Sequence, residues 1–229
     1  MSAVFVASFY DAPLAGIISG EATHAFIADG SPVSVHATRV AYNTRREHSM
    51  TTSAQTDLRY PVGRFNFDAP ISVADYPRLI GEIAAAPGAM RSAVAGLSRD
   101  QLETPYRPGG WTVKQVVHHV PDSHLNAYTR FKLALTEDEP TIKPYDEAKW
   151  AELPDSQKVP VDVSLDLLEA LHGRWVPLLR AMDAADFQRA LRHPEHGRLL
   201  TLSQMLGLYA WHSRHHVAHI TALKERERW

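Results

Sequence analysis

The segment that begins at Thr201 has a helical pattern in which histidines occupy core positions. Thr201 and Gln204 form a T-x-x-Q capping box, which predicts a helix that begins here and runs to about Glu227. One stripe of this helix advances in alternating steps of three and four residues and consists of Leu202, Met205, Tyr209, His212, His216, His219 and Leu223. Such a stripe needs other helices to cover it, so the chain must bury the histidines together with the apolar residues.

The histidines of this helix are spaced for metal binding. His212 and His216 are an i, i+4 pair, His215 and His219 are another, and all four lie on an arc of about 100°. A pair at this spacing can direct two imidazoles at one ion. Burying neutral polar groups without partners costs about 1–3 kcal/mol each, and a shared ion removes that cost. The chain has no cysteine, so any ligands must be His, Asp or Glu, and imidazoles suit Zn, Ni, Cu or Fe.

Two imidazoles are too few for a stable site, so a third ligand is expected from another helix. The candidates are His118, His119, His124, Glu169 and His172. Periodicity favours His119, because it continues into a polar stripe with Asn126 and Arg130, whereas His124 falls on the apolar face.

Glu169 and His172 form an E-x-x-H motif. Di-iron carboxylate bundles need two such motifs and further Glu residues, and only one is found here. The motif is therefore interpreted as a surface Glu and an interior or capping His.

Three further segments have helical spacing and cover residues 72–86, 112–135 and 164–182. The second begins at another capping box, formed by Thr112 and Gln115. Two short apolar runs flank the turn sequence PEHG before the last helix and predict a hairpin. Four helices bury their apolar stripes most simply against one another. The predicted fold is all-α, a four-helix bundle with a small β-hairpin before the last helix.

Prolines are expected to interrupt these elements. Pro87 is expected to end the first helix and leave a second short helical stretch over residues 90–97. Pro121 is expected to kink the second helix, and Pro177 to bend the third. Residues 137–162 contain four prolines and are predicted to be a loop.

Charge and hydropathy exclude several classes of partner. The net charge is −2 and the sequence pI is about 6.7, so the chain lacks the basic footprint of a protein that binds nucleic acid or anionic membrane. No apolar run approaches the roughly 18–20 residues of a transmembrane helix. No Lys or Arg precedes Arg39, so the basic start of a secretory signal is absent. We expect a cytoplasmic protein with a small-molecule substrate and no nucleic-acid or membrane partner.

Residues 1–49 differ from the rest of the chain in being rich in Ala, Ser, Gly, Thr and Val, with few charges and weak periodicity. The text that begins at Met50 reads like the start of a protein. We therefore predict an N-terminal extension over residues 1–49, disordered, loosely docked or upstream of the true start. Residues 50–229 are predicted to be the metal-binding bundle.

Several long motifs resemble one family. YPVGRF, TPYRPGGWTVKQVVHHVPDSHLNAYTRF, LHGRW and GLYAWHSRHHVAHI resemble the YfiT-like branch of the DinB superfamily over residues 57–229. The resemblance implies a homodimer of four-helix bundles with one divalent metal per subunit, zinc or else nickel. It also implies three histidine ligands, of which the first follows the helix-opening Trp by eight residues. Those positions are His119, His212 and His216, while His219 stands where many members carry Gln. Pro121 departs from the small residue usual there.

The resemblance implies a metal-dependent hydrolase that activates water on a small molecule. Related proteins transfer low-molecular-weight thiols such as bacillithiol, so thiol S-transfer at the same site is the alternative. A structural metal in a non-enzymatic bundle is the third interpretation. Of the neighbouring residues, His215 or His219 is a candidate proton shuttle, and Asp122 is a candidate for orienting a ligand. Asn126 and Arg130 are candidates for holding a polar or anionic substrate.

Overall fold

The computed structural model describes residues 57–229, apart from the side chain of His196. The predicted extension over residues 1–49 lies outside the described residues, so its boundary with the bundle stays a prediction.

Four long α-helices, four short ones and one hairpin make up most of the regular structure of the described residues. In chain order they are α1 (Tyr76–Val94), α2 (Arg99–Leu102), α3 (Val113–Thr136), α4 (Glu147–Ala151), α5 (Pro154–Lys158), α6 (Val161–Ala181), α7 (Ala184–Gln188), β1 (Ala190–His193), β2 (Arg198–Thr201) and α8 (Leu202–Glu227). Helix α1 packs against α6 and α8, and α3 packs against the same two helices. The predicted four-helix bundle is therefore confirmed. Within residues 57–229, no helix is both long and apolar enough to span a membrane.

The predicted hairpin precedes α8. Strands β1 and β2 are antiparallel, with Ala190 opposite Thr201 and His193 opposite Arg198. Gly197 has a φ of +60°, in the left-handed region that glycine adopts without the steric cost of a Cβ. The hairpin leads directly into the last helix, since Thr201 ends β2 and caps α8.

Capping boxes set the start of both helices that carry the candidate ligands. The Thr112 hydroxyl accepts from the Gln115 backbone N–H at 3.1 Å, and the Gln115 side chain accepts from the Thr112 N–H at 3.0 Å. Thr201 and Gln204 repeat this exchange at 3.1 and 3.0 Å. These reciprocal bonds satisfy N–H groups that the first helical turn leaves free. Both predicted starts are confirmed.

The expected interruption of the first helix at Pro87 is wrong. Helix α1 continues from Tyr76 through Pro87 to Val94. A proline in a helix deprives the carbonyl four residues earlier of its donor, which here is the carbonyl of Ile83. His172 of α6 supplies a replacement, because its Nδ1 lies 2.8 Å from the Ile83 oxygen. A contact from another helix thus satisfies the carbonyl that the proline leaves without its helical donor.

The predicted loop over residues 137–162 is also partly wrong, since it contains α4, α5 and the start of α6. The Asp146 side chain accepts from the Lys149 N–H at 3.0 Å and caps α4. Pro154 occupies the first turn of α5, where a missing N–H costs nothing. Proline in this segment therefore begins the helix α5 and does not only interrupt helices.

The bundle has two apolar cores. The hairpin-end core includes Phe131, Trp175, Leu191 and Leu206. The opposite core, called the far-end core below, includes Val116, Leu165, Leu168, Ile220 and Leu223. Between them, α3, α6 and α8 contribute a group of buried histidines, called the histidine layer below, which consists of His119, His124, His172, His212 and His216.

Candidate metal centre

Three members of the histidine layer converge from two helices. One nitrogen each of His119, His212 and His216 lies within 4.8 Å of the other two. Their ring centroids are 5.5 Å apart between His119 and His212, 4.9 Å between His119 and His216, and 4.5 Å between His212 and His216. The i, i+4 spacing on α8 brings two rings together, and α3 presents the third from the facing helix.

The donor set fits one divalent cation. All three side chains are at most 4% exposed. Burial lowers the pKa of His119 to about 3, with a smaller effect from His219, and it lowers the pKa values of His212 and His216 well below the usual range. Neutral imidazole is the form that binds a metal. Three nitrogen ligands also leave a coordination position for water or substrate, as in catalytic zinc sites.

Aromatic rings pack against the candidate ligand His119 and against His215 and His219, the second histidine pair of α8. The Trp111 ring lies 4.8 Å from that of His119. His215 stacks on Trp211 at 4.3 Å, and His219 stacks on Tyr106 at 4.0 Å. His219 also donates through Nε2 to the backbone oxygen of Arg59 at 3.1 Å. His215 and His219 therefore lie beside the three-histidine cluster without belonging to it.

The other candidates on α3 have different surroundings. Asn126 donates to the Asp122 carbonyl of its own helix at 2.9 Å. The pKa of Asp122 rises to about 6, because its carboxyl is largely desolvated and lies near Asp155 of α5. That environment gives no support to the expectation that Asp122 orients a ligand. Arg130 is only 6% exposed and donates to the Lys143 carbonyl at 3.3 Å.

His118 and the two residues of the E-x-x-H motif do not belong to the three-histidine cluster. One ring nitrogen of His118 lies 2.7 Å from the Ser164 hydroxyl, and the other lies 3.1 Å from the Val159 oxygen. Glu169 is exposed and pairs with Arg91 at 3.4 Å, while His172 is buried. The interpretation of a surface Glu and an interior His is confirmed.

A group of polar side chains lies beside His212, and of these only Arg130 was predicted from the sequence as a site residue. The Ser123 hydroxyl lies 3.3 Å from Nε2 of His212. The hydroxyls of Tyr145 and Tyr209 lie close enough to Ser123, and that of Tyr209 close enough to Arg130, for these neighbours to lower the tyrosine pKa values against the larger effect of burial. Tyr145 belongs to the segment predicted as loop, where periodicity carries no signal. We call Ser123, Arg130, Tyr145 and Tyr209 the polar group.

Burial shifts the acidities around the polar group. The pKa values of both tyrosines are raised, chiefly because burial disfavours the phenolate, so their hydroxyls stay protonated. Burial likewise raises the pKa of nearby Glu147 to about 7. The group thus offers hydroxyl donors and one guanidinium, and the carboxyl of Glu147 near it exchanges a proton near neutral pH.

A sequence profile of the DinB superfamily matches residues 82–220, more than half of the chain. This chain belongs to the DinB superfamily. A relative from Bacillus cereus is 57% identical over 173 residues, which cover 76% of this chain and 99% of the relative. A Bacillus mycoides relative is 56% identical over the same shares. Both bear the provisional name of metal-dependent hydrolase.

A solved structure agrees with this assignment. YfiT from Bacillus subtilis is 48% identical, has a TM-score of 0.73, and is matched over 75% of this chain and 98% of its own. It is described, provisionally, as a metal-dependent hydrolase with an unusual four-helix bundle topology. The expected membership of the DinB superfamily is confirmed.

Proposed function

We propose that the protein is a metal-dependent hydrolase of a small-molecule substrate, in which His119, His212 and His216 hold one divalent ion, zinc or else nickel. The observation that carries the proposal is the convergence of three buried, neutral imidazoles within 4.8 Å. The provisional names of the relatives support it. A homodimer and a cytoplasmic location stay predictions.

An ion held in this way would lower the pKa of a bound water towards about 7 and polarise a substrate carbonyl. The three histidines would hold it rigidly, because their rings are buried. The remaining coordination position gives the site the form of a catalytic centre rather than a closed structural one.

The polar group would bind the polar or anionic part of the substrate. It begins next to His212, where the Ser123 hydroxyl lies 3.3 Å from the ring. Arg130 contributes a buried positive charge, and the hydroxyls of Tyr145 and Tyr209 are protonated donors. Buried donors of this kind discriminate strongly against substrates that leave them unpaired. His215 and His219, with ring centroids 5.0 and 5.3 Å from that of His216, are the candidates for moving a proton.

The test is an assay of zinc-loaded, nickel-loaded and chelated protein on a panel of esters and amides, some with a carboxylate or phosphate. Each reaction is run with and without a low-molecular-weight thiol. We expect hydrolysis in water alone, which is lost on chelation and in His119→Ala and is retained in His118→Ala. Products that form only with added thiol would assign the site to S-transfer. A loaded but inactive protein that unfolds on chelation would assign it to structure.

A further inference from the structure

A chain of hydrogen bonds crosses all four long helices and ends at a candidate ligand. It starts at the Ile83 carbonyl of α1, which lies 2.8 Å from Nδ1 of His172 on α6. Nε2 of His172 is 2.8 Å from Nδ1 of His124 on α3. Nε2 of His124 is 3.1 Å from Nδ1 of His212 on α8. We call His172 and His124 the relay histidines.

The Ile83 carbonyl sets the direction in which the histidines donate their hydrogen bonds. A carbonyl oxygen only accepts, so Nδ1 of His172 must carry the proton. A neutral imidazole has one N–H, which makes Nε2 of His172 an acceptor and Nδ1 of His124 a donor. The same reasoning makes Nε2 of His124 accept from Nδ1 of His212. The only lone pair left on the last ring is at Nε2. The opposite direction would set a lone pair of His172 against the carbonyl oxygen at 2.8 Å.

Pro87 makes the Ile83 carbonyl available. In an unbroken helix the N–H of residue 87 would bond to the oxygen of residue 83, but proline has no N–H. The proline inside α1 and the buried histidine of α6 are therefore complementary. The contact between His172 and the Ile83 carbonyl does not require a metal. It anchors the chain of hydrogen bonds that reaches the three-histidine cluster.

The surroundings keep the relay histidines neutral and oriented. His124 and His172 are at most 3% exposed and stack on each other at 5.0 Å. Trp175 packs edge-on against both rings, at 5.7 and 5.6 Å. Burial lowers the pKa of His172 to about 4, so it is neutral near pH 7. The Ser123 hydroxyl, 3.3 Å from Nε2 of His212, can donate to the lone pair predicted there.

We infer that His172 and His124 are positioning residues that hold His212 as its Nδ1–H tautomer and thereby present Nε2 to the metal. The role in metal binding rests on the proposed function, whereas the tautomers do not. A donor–acceptor partner behind a ligating histidine sets its orientation and basicity, and losing one typically costs 10–100-fold in metal affinity. Here the acceptor behind His212 is another histidine, His124. The tautomer of His124 is set through His172 by the Ile83 carbonyl of α1.

The first experiment reads the tautomers of metal-free, full-length protein labelled with 15N-histidine. Long-range 1H–15N correlation spectra near neutral pH distinguish the protonated ring nitrogen from the bare one. We expect His124, His172 and His212 all to carry the proton on Nδ1. A proton on Nε2 of any of the three would overturn the inference. No substitution is needed, so this test does not depend on the folding of a variant.

The second experiment titrates zinc into wild type, His172→Phe, His172→Gln and His118→Ala. Phe fills space but cannot accept from His124, whereas the Gln amide can accept from His124 and donate to Ile83. We expect His172→Phe to weaken zinc binding about 10–100-fold, and the Gln variant and the His118 control to stay within about threefold of wild type. In His172→Phe, His212 should also lose its single tautomer. Equal affinity in the Phe variant and wild type would overturn the inference.

The two proposals fail differently. If wild-type protein binds no zinc or nickel, the proposed function is contradicted, and the spectra of the metal-free protein still decide whether the relay sets the tautomers. If zinc binds with the expected stoichiometry but Nε2 of His212 is protonated in the metal-free protein, the metal site stands and the relay is rejected.

Discussion

The histidine layer and the two apolar cores are equally buried but are held together differently. Phe131, Trp175 and Leu168 are at most 1% exposed, as are His124 and His216. The apolar cores gain stability from every contact removed from water, about 25 cal/mol per Å². The histidine layer gains little in that way and depends on specific partners for its nitrogens. The bundle therefore has stable ends and a middle whose stability depends on protonation and on ligands.

The difference explains where each kind of substitution should act. A change in an apolar core should lower the free energy of unfolding without altering metal binding, because the core residues are not members of the three-histidine cluster. A change in the histidine layer should alter metal affinity, acid stability or both. The following predictions separate the two regions.

Acid should produce the largest effect, through buried histidines of the histidine layer and through His215, whose ring centroid lies 5.0 Å from that of His216. Unfolded histidine has a pKa near 6.5, whereas the native pKa values of His119, His172 and His215 are about 3, 4 and 2. Below pH 6.5 the unfolded state binds protons that the native state does not, so stability falls as the pH falls. Each of the three should contribute a loss of about 2 kcal/mol by pH 5. Urea unfolding of chelated protein at neutral pH and at pH 5 measures this loss.

The control for acid sensitivity is His172→Gln, which removes one titrating group. Its loss of stability between neutral pH and pH 5 should be smaller than that of wild type by about 2 kcal/mol. An unfolding free energy that does not change with pH in wild type would contradict the neutral, buried state of the layer.

A cavity in the hairpin-end core should be the next largest change. Phe131 is fully buried and packs on Trp175 with ring centroids 5.6 Å apart. Phe131→Ala should lower the free energy of unfolding by about 3–5 kcal/mol. Zinc affinity and the slope of stability with pH should stay as in wild type. A tenfold or larger loss of zinc affinity in this variant would show that the core and the layer are not separable.

Removing a helix cap should have the smallest effect. Thr112→Ala deletes the hydroxyl that accepts from the Gln115 N–H at 3.1 Å. The expected loss is about 1 kcal/mol in urea unfolding. Zinc affinity should not change, because His119 lies about two turns inside α3. Loss of zinc binding here would mean that the start of α3, rather than its packing, positions the ligand.

The sequence predicts what one helix shows by itself. The capping boxes at Thr112 and Thr201, and the common face of His212 and His216, follow from local spacing and are found as expected. Periodicity also placed His119 on a polar stripe. Each of these inferences concerns neighbours along one helix.

The rest depends on contacts between helices. The link from His124 to His172 joins α3 to α6, and no spacing along either helix reveals it. Pro87 was interpreted as a break, because the donor that satisfies the Ile83 carbonyl comes from His172, 89 residues away along the chain. Tyr145 was not predicted as a site residue, because it lies in a segment rich in proline whose helices are too short to show periodicity.

Metal content tests the central claim most directly. Elemental analysis of untagged full-length protein should find about one zinc or nickel per chain in wild type, and His119→Ala, His212→Ala and His216→Ala should each lose it. His118→Ala is the matched control, because His118 adjoins His119 and is buried to the same extent, at 5% against 4% exposed. It should retain the metal. Metal far below one per chain in wild type, or metal that survives the three substitutions, would contradict the account.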